Sequence, residues 1–542
     1  MDKVALGVIL SALIAFALSK TFSLGSRRKG LPPGPPTKWL IGNAHIFPKG
    51  NLHLAFAEWS KVYGDVISLQ VFHQTIIVLN SPSAIREIID KRNVASSNRP
   101  RTMIGERLVP NEANFGMSKL ADEKWKACRK AANALLHSDN LKKFTNLQTA
   151  ETHQLLWDFY HTPEDWFQNI HRFVVSFASI IIYGKRSPRV KSRDVAEFMA
   201  VHPQFMDAMN ISAIVPVDIF PILDKVPEIF VKWKKQVKQV RKMHEALYGR
   251  LLGQVQDRLK LNIGNGCFME DMILRGDKLG INDRDVLLNL GGVLLQGSDT
   301  TSVALQNIIC CLVCYPDAQE KVYKEIEQVV GVDRPPHIDD LPNLPYTRAF
   351  IEESNRLRPL DPLALPHCMN QDEIVNGVLY PKGSVIFMNI WGLMHDERYF
   401  EDPYEFKPER FLSNSFGVRQ DADDDPARRP NLMFGGGRRV CPGMPFAQLA
   451  LGINTASLIW AFSFSPYRDP KSGKEILPDM SHYSVGVIAS PKPVKLQITP
   501  RSQKHVDVIE KCFQETGGIF APFEHELSNE DQQFNAKYRD LM

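Results

Sequence analysis

The stretch Phe434-Gly435-Gly436-Gly437-Arg438-Arg439-Val440-Cys441-Pro442-Gly443 holds one cysteine in a loop that three consecutive glycines leave bare. Glycine removes the Cβ barrier to tight turns and admits a flat partner close to the backbone. Two arginines precede the cysteine, and a Pro-Gly step follows before an apolar run, Met444 to Phe462, that reads as a helix. Arginine charge and a helix start both favour an anion, so the pattern predicts a Cys441 thiolate. A thiolate on a close-approach loop suits a single soft metal position, and haem iron is one metal that takes it. A glycine loop that merely encloses a buried cysteine would look the same, and this stretch alone does not separate the two.

Three further patterns could serve such a centre. Gln296-Gly297-Ser298-Asp299-Thr300-Thr301-Ser302 interrupts a long apolar run with hydroxyls, an acid and a glycine. Hydroxyls compete for backbone carbonyls, so the pattern predicts a local helix break that opens a carbonyl to water or ligand. An acid beside a hydroxyl at such a break suits proton relay into a buried site. Trp125 and Arg129 stand at i and i+4 on one helical face. Together they fit a buried carboxylate or phosphate, and equally a surface cation–π pair. Glu353 and Arg356 share another face in partly apolar surroundings, where a buried pair needs a third partner; Arg410 could supply it. Cys310, Cys311 and Cys314 lie in an apolar helical run without a second ligand pair, and read as core.

These residues need elements to hold them. The run from about Asn282 to Tyr315 reads as one buried helix of roughly 50 Å, capped by Asn and Asp and stopped by Pro316. Leu52 to Tyr63 reads as a short amphipathic helix, and Val66 to Val71 with Thr75 to Asn80 as a hairpin. From Ser81 the chain is mainly helical. Leu363 to His367, Ser384 to Asn389 and Tyr483 to Ile488 read as strands, the last in a final hairpin. Val226 to Lys260 is a basic helix. The apolar loop Ile211 to Leu223 before it suits an acidic membrane surface or plain core packing. Asn210-Ile211-Ser212 is a glycosylation sequon that a cytoplasmic domain leaves unmodified. From Arg501 onward, polar composition predicts a surface tail with one short amphipathic helix. The fold class is mainly α with small β-sheets.

The 542 residues are 44% hydrophobic and 23% charged, with no internal repeat and no central linker, which favours one large unit. A net charge of +4 and the lack of a glycine-rich phosphate loop argue against nucleic acid and nucleotide. Eight cysteines without framework spacing point to a reducing compartment. Val4 to Leu18 is apolar and uncharged, with Lys20, Arg27, Arg28 and Lys29 after it. Running on to Leu24, it reaches spanning length, and the positive-inside bias leaves the rest of the chain in the cytoplasm. A cleaved signal peptide is the alternative. Leu31-Pro32-Pro33-Gly34-Pro35-Pro36 reads as a stiff spacer. The expected organisation is an anchor at 1–24, a linker at 25–36, a catalytic domain at 37–500 and a tail at 501–542.

Taken in this order, the motifs make the chain resemble the cytochrome P-450 haem-thiolate monooxygenases in their membrane-anchored eukaryotic form, over roughly Leu31 to Pro500. Phe434, Gly437, Arg439, Cys441 and Gly443 fit the family's haem loop, Phe-x-x-Gly-x-Arg-x-Cys-x-Gly. Glu353, Arg356 and Arg410 match its structural salt-bridge triad, and Trp125 with Arg129 its propionate-binding pair. Gly297, Asp299, Thr300 and Thr301 match its central-helix motif, while Gln296 departs from the usual Ala or Gly. The resemblance implies that haem b is ligated by Cys441, with Trp125, Arg129, Arg439 and His367 on its propionates. Asp299 and Thr300 would deliver protons to bound O2. NADPH electrons would come through a separate reductase, with cytochrome b5 as a second donor, reached through Lys126, Lys130 and Arg438. Phe115, Leu295, Gln296, Leu363, Leu365 and Val485 would contribute to the pocket for a small apolar substrate. The sequence looks most like filamentous-fungal members that oxidise terpenoid, polyketide or alkaloid secondary metabolites at the endoplasmic reticulum membrane. A redox-neutral isomerase or dehydratase and a haem carrier remain as alternatives. Both make less use of the Asp299–Thr300 pair.

Overall fold

The computed structural model describes residues 25–539 apart from 111–112, 120–121, 210–215, 423–426, 430, 482 and 485. The predicted anchor, the sequon and Val485 lie outside the described residues. Among the described residues, no helix is long and apolar enough to cross a membrane.

Helix α1 (Leu52–Tyr63) stops at Gly64, whose φ of 96° suits glycine. Strands β1 (Val66–Val71) and β2 (Gln74–Leu79) pair antiparallel, as expected of their β-branched runs. Side-chain alternation decides what each face of β2 covers: Ile76 and Val78 join Phe56 of α1, whereas Ile77 and Leu79 face Ile85 and Ile88.

The helical body follows, with α2 (Glu123–Leu136), α3 (Thr145–His161), α4 (Trp166–Tyr183), α5 (Arg193–Met209), α6 (Lys232–Lys260) and α7 (Phe268–Leu279). The basic helix starts later than 226 because Pro227 and two short 3-10 turns occupy its approach. The single rod expected over 282–315 is two helices, α8 (Arg284–Gln296) and α9 (Ser298–Cys314), meeting at Gly297. The break falls where the hydroxyls cluster, but they claim the carbonyls themselves. Ser298 Oγ donates to Leu295 O at 2.7 Å and Thr300 Oγ1 to Gly297 O at 2.9 Å. Cys310 and Cys311 are buried in the core around α9.

Beyond α10 (Pro316–Val330) and α11 (Pro345–Leu357), β3 spans only His367–Cys368. The expected strand from Leu363 fails because Pro366 cannot donate to a ladder and Ala364 turns left-handed, with φ 54°. Strand β4 (Val385–Met388) lies parallel to β2 and antiparallel to β3, giving the sheet order β1–β2–β4–β3. The cysteine loop leads into α12 (Met444–Ala461), which packs on α9. Strands β5 (Phe462–Arg468) and β6 (Leu496–Pro500) then pair antiparallel. Between them, Tyr483 makes an isolated antiparallel bridge to Pro491 in place of the expected strand, and Ser484 N bonds back to Ser490 O in a tight loop.

The C-terminal stretch departs most from expectation. Helices α13 (Gln503–Gln514) and α14 (Asn529–Tyr538) dock on the body, with Phe513 and Phe520 fully buried. Trp157 of α3 meets Phe513, Phe534 and Tyr538. The acids that made this stretch look like a surface are paired: Glu524 with Arg186 and Arg539, Glu526 with Arg258, and Asp531 with Arg189.

Candidate functional site

The cysteine loop is pinned to a wide helical turn at Arg86–Asp90. Gly435 and Gly437 take φ of 78° and 56°, and a Cβ on Gly437 would strike the Ile89 carbonyl. Gly437 N donates to Asp90 Oδ1 at 3.0 Å, and Arg429 joins Asp90 to the Gly435 carbonyl. Cys441 N closes the loop on Phe434 O at 2.8 Å. The sulfur sits by the amides of Gly443 and Met444 and near Arg129. Burial nonetheless pushes the Cys441 thiol up against their pull. Arg438 turns outward to Asn93, and Arg439 spends its donors on the Ser97, Phe115 and Ser118 carbonyls. A cation on the sulfur is needed to hold the anion.

Beside the loop, positive charge accumulates. Arg439 lies over the Trp125 ring at 4.2 Å, so the buried indole's cation is Arg439 rather than its helix neighbour. Arg129 donates to the Val440 carbonyl. Arg99, which the sequence reading missed, donates to Leu365 O at 2.7 Å and Pro366 O at 2.8 Å. Burial, then Arg99 and Arg129, push Arg439 down to about 9; burial likewise takes Arg99 to about 10, with Asp361 opposing. Among the described residues, Asp361 is the carboxylate set against this cluster, and burial pushes it up to about 7. Three guanidiniums facing carbonyls and one half-neutral acid form a site short of negative charge. His367 gives Nδ1 to Ser96 O at 2.9 Å, and burial with Arg99 drives it down to about 3. It is therefore neutral here.

Across on α9, Gly297 is exposed and Thr300 half-buried, whereas 301–313 are buried. Asp299 points elsewhere. Its Oδ2 lies 3.2 Å from His202 Nε2, and its Oδ1 lies 3.6 Å from His171 Nδ1 and 3.2 Å from Ser302 Oγ. Burial raises this acid, but the His202 bond and the two imidazoles outweigh it and hold it below the usual carboxylate range. Neither histidine carried a sequence signal, since each is the lone histidine of its helix. Arg99 left a faint one, as the first charge after the neutral run Val94 to Asn98.

The predicted triad is assembled as expected. Glu353 takes Arg356 Nε at 2.7 Å, Arg410 Nε at 3.2 Å and the Lys407 amide at 2.8 Å; Arg356 also holds the Met394 and Pro403 carbonyls. Among the described residues, the expected pocket positions do not all meet in one cavity. Leu363 lines a cavity of about 320 Å³ with Tyr483, Gly486 and Val487. Phe115 and Leu295 are buried in the helical core. Leu365 is partly exposed and serves Arg99 through its carbonyl. Gln296 lays its amide against the Tyr248 hydroxyl of α6, so the departing residue turns toward a neighbouring helix.

Comparison with known proteins agrees with this geometry. A cytochrome P450 monooxygenase of Armillaria gallica is 37% identical over 96% of this chain and 98% of that one. Another, of Rhodocybe pseudopiperita, is 35% identical over 92% of this chain and 95% of its own length. A zebrafish cytochrome P450 solved with progesterone has TM-score 0.67 and 25% identity, covering 83% of this chain and 99% of that one. The cytochrome P450 family model matches residues 32–498, and this chain belongs to that family.

Proposed function

We propose that this monooxygenase holds its haem with Cys441 as the iron ligand and with Arg129, Arg439 and Arg99 around the propionates. One observation carries the reading: among the described residues, a buried arginine cluster short of carboxylates stands beside a half-buried cysteine that needs a cation. Two propionates and an iron atom meet both demands, so the residues present fit the group. When bound, the haem supplies activation of dioxygen. Trp125 stacks on Arg439 and fixes its guanidinium. His367, with Nδ1 committed to Ser96, meets a propionate as donor only after taking a proton, which the propionate's charge favours. Thr300 Oγ1 holds a proton on Gly297 O at the open face of α9, and Asp299 supplies its replacement.

Electrons are proposed to come from NADPH through a reductase docking on exposed Lys126, Lys130 and Arg438, with cytochrome b5 as a second donor. The substrate is a small apolar molecule admitted past Leu363 and Val487, and the reaction is a tailoring step in secondary metabolism. Residues 1–24 are proposed as the endoplasmic reticulum anchor, with the body in the cytoplasm. Reduced holoprotein with carbon monoxide should show the red-shifted Soret band of thiolate-ligated haem; a histidine-type spectrum overturns the assignment. Thr300→Ala should divert NADPH electrons to peroxide at unchanged haem content. Fed candidate terpenoid, polyketide and indole scaffolds alongside a reductase, the enzyme should add one oxygen mass to a product.

A further inference from the structure

Between α4, α5, α6 and α8 the core contains polar atoms that nothing satisfies. Among the described residues, His202 Nδ1 and His244 Nδ1 are buried without a hydrogen-bond partner, and the buried Tyr248 hydroxyl and Gln296 Nε2 have at most each other. They are neighbours. His244 packs edge-on to Tyr248 with ring centroids 4.6 Å apart, and it lies close enough to His202 to feel its charge. The Gln296 amide rests against the Tyr248 hydroxyl. Orphaned polar atoms are rare in native interiors, and a cluster of them is where buried water finds its two to four partners.

One end of this seam is Asp299, through the 3.2 Å contact to His202 Nε2. The other end approaches solvent. His244 Nε2 lies 3.1 Å from Asn289 Oδ1, and Asn289 Nδ2 donates at 2.8 Å to the carbonyl of Asp285, an exposed residue in the first turn of α8. The other imidazole at Asp299 is differently placed. His171 Nδ1 meets Ser302 Oγ at 3.2 Å and its Nε2 meets the Gln306 amide at 3.0 Å, so neither nitrogen is free to exchange with water. It holds the carboxylate in place, and only His202 has an uncommitted nitrogen.

We propose that His202 hands protons to Asp299, and that water bound along His244, Tyr248 and Gln296 recharges it from the start of α8. A proton leaves His202 Nε2 for Asp299 Oδ2 while another reaches Nδ1 from protonated water. One proton thereby moves from solvent to the carboxyl and the ring stays neutral; it regains its first tautomer by proton exchange with the seam water, Nδ1 giving one up as Nε2 takes one. His202 is a positioning and recharging residue that acts through Asp299. Gln296, where the family usually carries a small residue, is then a wall of the water file. The proposal rests on the reading of Asp299 as the proton-delivering acid.

NADPH consumption by holoenzyme with reductase, in H2O and in D2O, tests it. Asp299→Asn and His202→Gln should each slow consumption at least about tenfold and enlarge the solvent isotope effect, with the double variant no slower than either. Asp299→Asn slow with His202→Gln unchanged overturns the proposal and spares the reading of Asp299; both unchanged overturns the reading as well. A second measurement needs no turnover. In resting holoenzyme, the infrared carboxylate band assigned by its loss in Asp299→Asn should shift promptly on transfer to D2O, and His244→Phe, which plugs the seam one ring away, should slow that shift at least about tenfold. A slow shift in the unaltered protein, or one that His244→Phe leaves alone, means the seam is dry and overturns the proposal.

Discussion

At the scale of single residues, Arg129 shows how charge rather than shape selects the ligand. Its guanidinium is pulled down by burial, is opposed by the Cys441 charge, and presses on Arg439 and Arg99. Arg129→Gln keeps a donor for the Val440 carbonyl while removing that charge. The apoprotein should fold as before, and haem transfer to an acceptor such as apomyoglobin should quicken roughly tenfold, a loss of about 1.4 kcal/mol. An unchanged transfer rate would place the propionates elsewhere. The same residues mark what a sequence can disclose. Cys441, Glu353 and Arg356 were legible because their chemistry and their spacing lie within one loop or one turn. Arg99 and His202 were not. Each meets its partner across a large sequence separation, and nothing local distinguishes a buried arginine before a proline or a lone histidine in a helix from its ordinary counterparts.

Elements carry a different lesson, because the cysteine loop depends on its seat. Gly437 takes φ of 56° with its α-hydrogen against the Ile89 carbonyl, so Gly437→Ala meets both backbone strain and a collision. The expected cost is about 2 kcal/mol or more, read as a fall in the thermal midpoint and in haem per protein. Gly443→Ala is the control: its Cβ would sit 3.8 Å from the Cys441 sulfur at ordinary contact, and negative φ makes it tolerable. Equal losses in the two variants would show that the seat on Arg86–Asp90 does not matter. An amphipathic face identified α1, and β-rich composition identified β1, β2 and β4, which are buried along almost their whole length. Composition failed at 363–366 and 483–488, where prolines, a left-handed alanine and loop-to-loop hydrogen bonds override the apolar run.

For the molecule as a whole, polar residues decide more than composition suggested. The segment after Arg501 read as a surface tail from its polar composition; folding gives its acids Arg186, Arg258 and Arg539. Buried titratable groups of this kind also set the response to acid. Burial pushes His53, His153 and His244 down to about 4, and His395 down to about 3, from about 6.5 in the unfolded chain. Below about pH 6.5 the unfolded chain takes protons that these folded rings refuse, so stability is lost as pH falls toward their folded values. Asp158 and Asp361, raised by burial to about 6 and about 7, act in the opposite sense: the folded state binds their protons first, and stability is gained on acidification until the unfolded carboxylates titrate. Four histidines against two acids leave a net loss near two groups' worth, about 2.7 kcal/mol per pH unit between about pH 6 and about pH 4.5. Denaturant unfolding of the holoenzyme across that window should show stability falling with pH. His395→Gln, which stays neutral beside the Trp391 carbonyl, should flatten the slope. Stability that rises on acidification would mean that the buried carboxyls, not the histidines, govern the fold's proton balance.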